Sequence, residues 1–241
     1  MLKIEKTDIH GWEAAIRGAR NSFNSWDKSD SRWCCGDKKC CVMDGCDLCC
    51  DVPHFCVGGD DLALMKKLAK AGPSHAKYRR FITVTMDVTG PLYWWKEMDT
   101  YKVGTVGNSC STMHKIADKE FKFDDFSWEH LDTSREHSMY VPNEYHFSSK
   151  DLLDLEIQVL NQCRKKYIES KKRNKDIWWQ MIQLLPSSYN QKRTLLVNYE
   201  VLANIYQQRK GHKLDEWQTF CEWIKGLPMS EIITGEEKSD D

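Results

Sequence analysis

Two clusters of residues in this chain carry side chains whose type and spacing suit chemistry. Between Arg32 and Val57 stand eight of its 11 cysteines, and Cys46 and Cys49 have the C-x-x-C spacing that lets two thiolates share one tetrahedral zinc ion. Cys41 and Cys56 complete a four-cysteine set, with Cys34, Cys35, Cys40, Cys50 and His54 near enough in sequence to substitute. Adjacent cysteines rarely bind one ion together, so some of the eight are spectators, and free or oxidisable thiols are the competing reading. The second cluster runs from Lys102 to His114, where Gly104, Thr105, Gly107, Asn108, Ser109, Ser111 and Thr112 are all small or hydroxylated. Such a loop exposes backbone N–H groups and hydroxyls together, which is how proteins cradle phosphate. An ordinary surface turn has the same composition. Of the histidines near it, His75, His114 and His146, only His114 sits at the end of the loop itself.

Composition narrows the partners. The chain has 241 residues, 41% hydrophobic and 29% charged, which suits one large domain or two small ones with a real core. Its 35 basic residues balance 36 acidic ones, so bulk electrostatics supply no reason to expect nucleic-acid binding. No apolar run approaches a membrane span, and the opening MLKIEKTDIHGW lacks the apolar core of a signal peptide, so a cytoplasmic location is expected. In that reducing compartment a compact cysteine cluster favours metal or thiols over disulfides.

The elements that must position these clusters follow from periodicity. Leu2 to Ile9 alternates like a strand, and Gly11 to Arg20 reads as a helix bearing Arg17 and Arg20 on one face. Asp60 or Asp61 is placed to cap a helix with Leu62, Met65, Leu68 and Ala69 inward, ended by Gly72. Ile82, Val84, Met86 and Val88 alternate with polar residues, the clearest strand of the chain, and Pro91 suits the first position of the next helix. Residues 117 to 145 read mostly as loop. A long helix then runs from Ser148 or Ser149 to about Arg173, with Leu152, Leu155, Val159 and Cys163 as its stripe. Further helices cover Asp176–Leu185, Asn198–Arg209 and Lys213–Gly226, while Arg193–Val197 is either a strand or a helix entry.

In that order the pieces resemble the flavin-dependent thymidylate synthase family. The family's loop begins with Arg-His-Arg and continues through small residues and Asn-Glu to Ser-x-Arg. Gly104 and Thr105 fall on its small positions, Asn108 on its Asn, Ser111 on its Ser and Lys102 on the last basic residue. Leu185-Pro186 matches the end of its Ala-Arg-x-x-Leu-Pro helix, and Asn198 and Arg209 bracket its Asn-led helix. The departures are chemical. Thr100 and Tyr101 replace the first two basic residues, Ser109 the glutamate, Met113 and Ile182 two arginines. Bidentate phosphate contacts are lost with those arginines, and Arg17, Arg79, Arg80 and Lys96 are the cations available to replace them.

The resemblance implies an α+β, thymidylate synthase-complementing-protein-like fold: a small antiparallel sheet flanked by helices, in one domain over residues 1–241, with a Cys-rich insert at 32–57 and a disordered acidic tail at 235–241. It implies FAD, with NADPH and methylenetetrahydrofolate as cosubstrates, a dUMP-like pyrimidine nucleotide and a homotetramer. Lys102, Thr105, Ser109, Ser111 and Arg209 would then face the substrate and its phosphate. Asn108, His114 and Asn198 would face the cofactor, and no side-chain nucleophile is demanded. Two other classes remain open: a nucleotide-binding or regulatory protein that kept the fold without the reaction, and an interaction module built on a metal-bound cysteine insert.

Overall fold

The computed structural model describes residues 2–34, 54–134, 139–141 and 145–236. Its strands are β1 (Lys3–His10), β2 (Arg32–Cys34), β3 (His54–Cys56), β4 (Thr83–Pro91), β5 (Val106–Ser109), β6 (Met139–Val141), β7 (Tyr145–Phe147) and β8 (Asn190–Asn198). The helices are α1 (Trp12–Asn21), α2 (Gly59–Lys70), α3 (Leu92–Met98), α4 (Thr112–Lys115), α5 (Ser149–Glu169), α6 (Lys175–Leu184), α7 (Tyr199–Arg209), α8 (Asp215–Lys225) and α9 (Glu231–Thr234). A small antiparallel sheet has the order β1-β4-β8-β5, and the β2–β3 and β6–β7 pairs form separate two-stranded ribbons. This is the α+β arrangement expected. No helix among the described residues is long and apolar enough to cross a membrane.

The chain sorts into two compact units. One comprises residues 1–5, 87–100 and 107–194; the other comprises 6–86, 101–106 and 195–241. In the second unit the expected alternation is realised, with Ile82 just ahead of β4 and Val84 and Met86 within it buried and the threonines between them half-buried. Leu195 and Val197 of β8 are buried too, so the stretch from Arg193 to Val197 is strand. Val201, Leu202, Ile205 and Tyr206 on α7, and Trp217, Phe220 and Ile224 on α8, supply the helical side of this core. Each such large apolar side chain contributes roughly 1.5–3 kcal/mol by burial.

Several helix expectations change. The start of α2 is capped not by its own aspartates but by Asp30, whose carboxylate accepts from the backbone N–H of Asp60 at 2.9 Å and of Asp61 at 3.0 Å. Asp61 instead turns inward. It accepts from Arg20 Nε at 2.7 Å and from the hydroxyls of Ser29 and Ser31, each at 2.6 Å. Burial alone would raise the Asp61 pKa, but the hydrogen bonds from Ser29, Ser31 and Arg20 together outweigh it and hold the carboxyl below its ordinary value. Arg20 is therefore a buried structural partner, while Arg17 stays exposed beside Glu13.

In the first unit, Pro91 is the last residue of β4 and the cap of α3, so that helix starts one residue later than expected. Its Trp94 and Trp95 pack edge to face with ring centroids 4.7 Å apart, and Trp95 Nε1 donates to the Gln191 carbonyl at 3.0 Å. The long helix α5 buries Leu153, Ile157 and Leu160 against α6 and the segment from Ile116 to Phe126, leaving Leu152 and Leu155 exposed. The sequence DLLDLEIQVL carries two overlapping apolar rows, and contact with Met181 decides between them. Trp178, expected to be a packing residue, adds to that cluster, and its indole N–H donates to the Met113 carbonyl at 3.0 Å.

Candidate functional site

Within the second unit three elements converge on a cavity of about 610 Å³: the turn Lys77–Phe81, the Val103–Gly104 corner and the start of α7. The turn is anchored from below. Tyr78 is buried, its hydroxyl donates to the Met65 carbonyl at 2.7 Å, and burial pushes its pKa up to about 12. At the other end Phe81 touches Gly11, where a Cβ would fall 1.9 Å from the Phe81 carbonyl oxygen. With φ at +95°, Gly11 is required both for conformation and for this approach. Held at both ends, the turn places Arg79 and Arg80 on the cavity wall.

Opposite them, Asn198 caps α7 by accepting from the Val201 N–H at 3.0 Å. Gly104, at φ +82°, fits so closely against this cap that a Cβ would meet both Asn198 Nδ2 and Val201 Cγ2 at 3.0 Å. The positive end of an 11-residue helix and two arginines therefore face one cavity, a combination that favours an anion. One acid tempers it: Glu200 lies 3.7 Å from Arg79. Two buried polar atoms of the lining residues, Arg79 Nε and Glu200 Oε2, make no hydrogen bond in the structure, and neither does Thr105 Oγ1, next to Gly104 in sequence. Buried polar groups are nearly always satisfied, so a polar ligand or water is the natural complement.

The residues singled out in the sequence do not gather in one place. Thr105 and Asn198 belong to this corner with Gly104, and Lys102 precedes it as an exposed side chain. Arg209 takes a different post on α7: its Nε donates to the Tyr101 hydroxyl at 2.8 Å, and its guanidinium lies 4.7 Å from the Trp217 ring centre. Asn108 and Ser109 fall in the other unit, exposed on β5, where a loop was expected. Ser111 caps α4 by accepting from His114 N–H at 3.2 Å and borders a cavity of about 630 Å³ with Cys110 and Tyr189. His114 itself borders a separate cavity of about 380 Å³ with Lys172, Arg173 and Trp178.

Arg79 and Arg80 were visible in the sequence as spare cations, whereas Glu200, Asn204 and Gln207 on the α7 wall carried no signal of their own. Lys96 is exposed on α3 in the first unit. Of the expected metal ligands, Cys41, Cys46 and Cys49 lie outside the described residues, and Cys56 is on β3.

No protein-family model matches the sequence, and no curated protein does. Solved structures do resemble it. Thymidylate synthase X (ThyX) from Helicobacter pylori, solved with FAD and dUMP, aligns at a TM-score of 0.62 and 15% identity, covering 98% of both chains. A second structure of that enzyme with the same two ligands gives 0.61 and 16%, covering 97% of this chain and 98% of that one. A UMP/dUMP methylase, PolB, from Streptomyces cacaoi, bound with 5-Br dUMP, gives 0.56 and 13%, over 98% and 95%. At such identities the likeness establishes the fold, and it runs nearly the full length of each partner.

Proposed function

We propose that this chain is a flavin-dependent nucleotide methylase that uses FAD to act on dUMP or a similar pyrimidine nucleotide. The supporting observation is the cavity at the α7 N-terminus: its helix end, Arg79 and Arg80 suit phosphate, and it occurs in a fold whose solved examples hold FAD and dUMP. The residues fit an anionic nucleotide or dinucleotide. Arg79, Arg80 and the α7 amides take phosphate, and Glu200 offers a hydrogen-bond acceptor to the ligand's polar edge. Asn198 keeps the helix start in register with Gly104. FAD, when bound, carries the hydride chemistry, with NADPH and methylenetetrahydrofolate as the cosubstrates the resemblance implies. The chain's own work is then binding, orientation and exclusion of water, and no side chain acts as nucleophile.

Lys102, Thr105, Ser109, Ser111 and Arg209 for substrate and phosphate, and Asn108, His114 and Asn198 for the cofactor, are the residues the resemblance implies. The proposed homotetramer is supported by exposed Leu152 and Leu155 on α5. A second reading, a nucleotide-binding protein without the reaction, is favoured by Tyr101: where the family carries a basic residue, this chain has a buried phenol engaged with Arg209.

The test is the absorbance spectrum of the purified protein, followed by titration with FAD and with dUMP. Flavin binding with dUMP-dependent oxidation of NADPH supports the first reading. The joint change Arg79→Ala and Arg80→Ala is expected to weaken ligand binding about 10- to 100-fold, as loss of one or two charge-assisted hydrogen bonds should. Nucleotide binding without flavin uptake would favour the second reading, and binding of neither sinks both.

A further inference from the structure

We infer that Cys34, His54 and Cys56 are ligands of a tetrahedral zinc ion at the base of the β2–β3 ribbon. The pairing register sets Cys34 opposite His54 and Arg32 opposite Cys56. Directly paired residues on antiparallel strands point to the same face, so the two cysteines and the histidine share one side. Trp33 and Phe55, the intervening pair, share the other, with ring centroids 5.5 Å apart.

The three donor atoms lie within 4.8 Å of one another, and Cys56 Sγ is 3.3 Å from His54 Nε2. Zinc bonds of about 2.3 Å to sulfur and about 2.0–2.1 Å to nitrogen, at tetrahedral angles, place two such donors about 3.5 Å apart. The observed sulfur–nitrogen separation needs only a few tenths of an ångström of adjustment to admit the ion. His54 would ligate through Nε2, leaving its proton on Nδ1.

The donor set selects the metal. Two thiolates and an imidazole suit zinc, a borderline-soft ion without redox chemistry, and do not suit magnesium or calcium, which take oxygen. A Cys34–Cys56 disulfide fits less well. Those residues are diagonal in the register, and diagonal neighbours stand about 7–8 Å apart at Cα against the usual disulfide limit of about 6.8 Å.

The frame around the ligands is tied down by hydrogen bonds of its own. Just before β2, the Ser31 hydroxyl donates to Asp61 at 2.6 Å and accepts from the Gly58 N–H at 2.9 Å, just after β3. The ribbon therefore leaves the body of its unit through a fixed gate, with the three donors immediately beyond it. Cys34 is 7% exposed, which limits solvent competition at that ligand. The site stands apart from the cavity proposed for nucleotide, and its test does not involve flavin.

The experiment begins with wild-type protein purified reduced and without chelator, then measured by elemental analysis. About one zinc per chain is expected, as one set of three donors holds one ion. Metal-stripped protein titrated with cobalt(II) should give tetrahedral d–d bands with thiolate charge transfer of the intensity of at least two thiolates. Cys34→Ser, His54→Ala and Cys56→Ser should each lose zinc to a competing chelator at least about 10-fold more readily than wild type, and Cys163→Ser should not. Zinc-free protein that gives no tetrahedral cobalt spectrum would overturn the assignment. So would undiminished zinc retention in the Cys34→Ser and Cys56→Ser variants. Because the cobalt spectrum is read on the wild type, a variant that fails to fold does not rescue the idea.

Discussion

Gly104 carries the sharpest consequence among single residues. A Cβ there would press on Asn198 and Val201 at 3.0 Å while the backbone holds φ at +82°. Gly104→Ala is expected to cost about 1–3 kcal/mol and to weaken nucleotide binding, because the loop must lift from the helix cap. Thermal denaturation with and without dUMP checks both effects; an unchanged midpoint and affinity would show that the loop is not pressed against α7. At this scale the sequence was partly legible. The helical spacing after Asn198 shows where α7 begins, but not that Asn198 caps it. Arg79 could be seen only as a spare cation, because its role depends on Glu200 and Gly104, which chain order does not bring near it. Ser111 matches the motif by type and Ser109 replaces its glutamate, but the exposure of one and the capping role of the other depend on the pairing of the loop's second half, which small residues do not announce.

Among elements, the joint between α1 and α2 rests on Asp61. Its carboxyl pKa is depressed in the folded protein, so it contributes stability at pH values above its ordinary range. That contribution is lost as pH falls below about 4 and through the lowered folded value. Asp61→Asn is expected to destabilise the protein by roughly 3–5 kcal/mol near neutrality, because Arg20 is left buried without its counter-charge. Urea midpoints of wild type and variant should converge on acidification, and a gap that stays constant with pH would refute the linkage. The long helix α5 shows where periodicity alone runs out. Rows 152-155-159 and 153-157-160 are equally helical, and only the packing partner separates them. The exposed row has its own prediction: Leu152→Glu with Leu155→Glu should shift the assembly to a smaller mass in light scattering without lowering helix content. An unchanged mass would remove this helix from the proposed tetramer.

For the whole molecule, element order was more informative than any motif. The clear strand at β4, the capped α7 and the Leu185–Pro186 stop survive in sequence because each answers a local requirement of backbone or burial. The stretch from Lys102 to His114 reads in sequence as one loop, yet the boundary between the two compact units passes through it after Val106. Local composition cannot show such a division, since it arises from which strand the second half joins. The β2–β3 ribbon adds a different lesson. Cys34 and His54 face each other directly, so the chain leaves and returns at a single point held by Ser31 and Gly58. That makes the ribbon a socket. Replacing residues 35–53 with an Asn-Gly turn, the pair that closes antiparallel strands most readily, should leave nucleotide affinity and melting midpoint of the remaining body within experimental error. Unrelated cargo should be graftable at the same point, and a collapse of the melting midpoint on replacement would show that the body depends on what the socket holds.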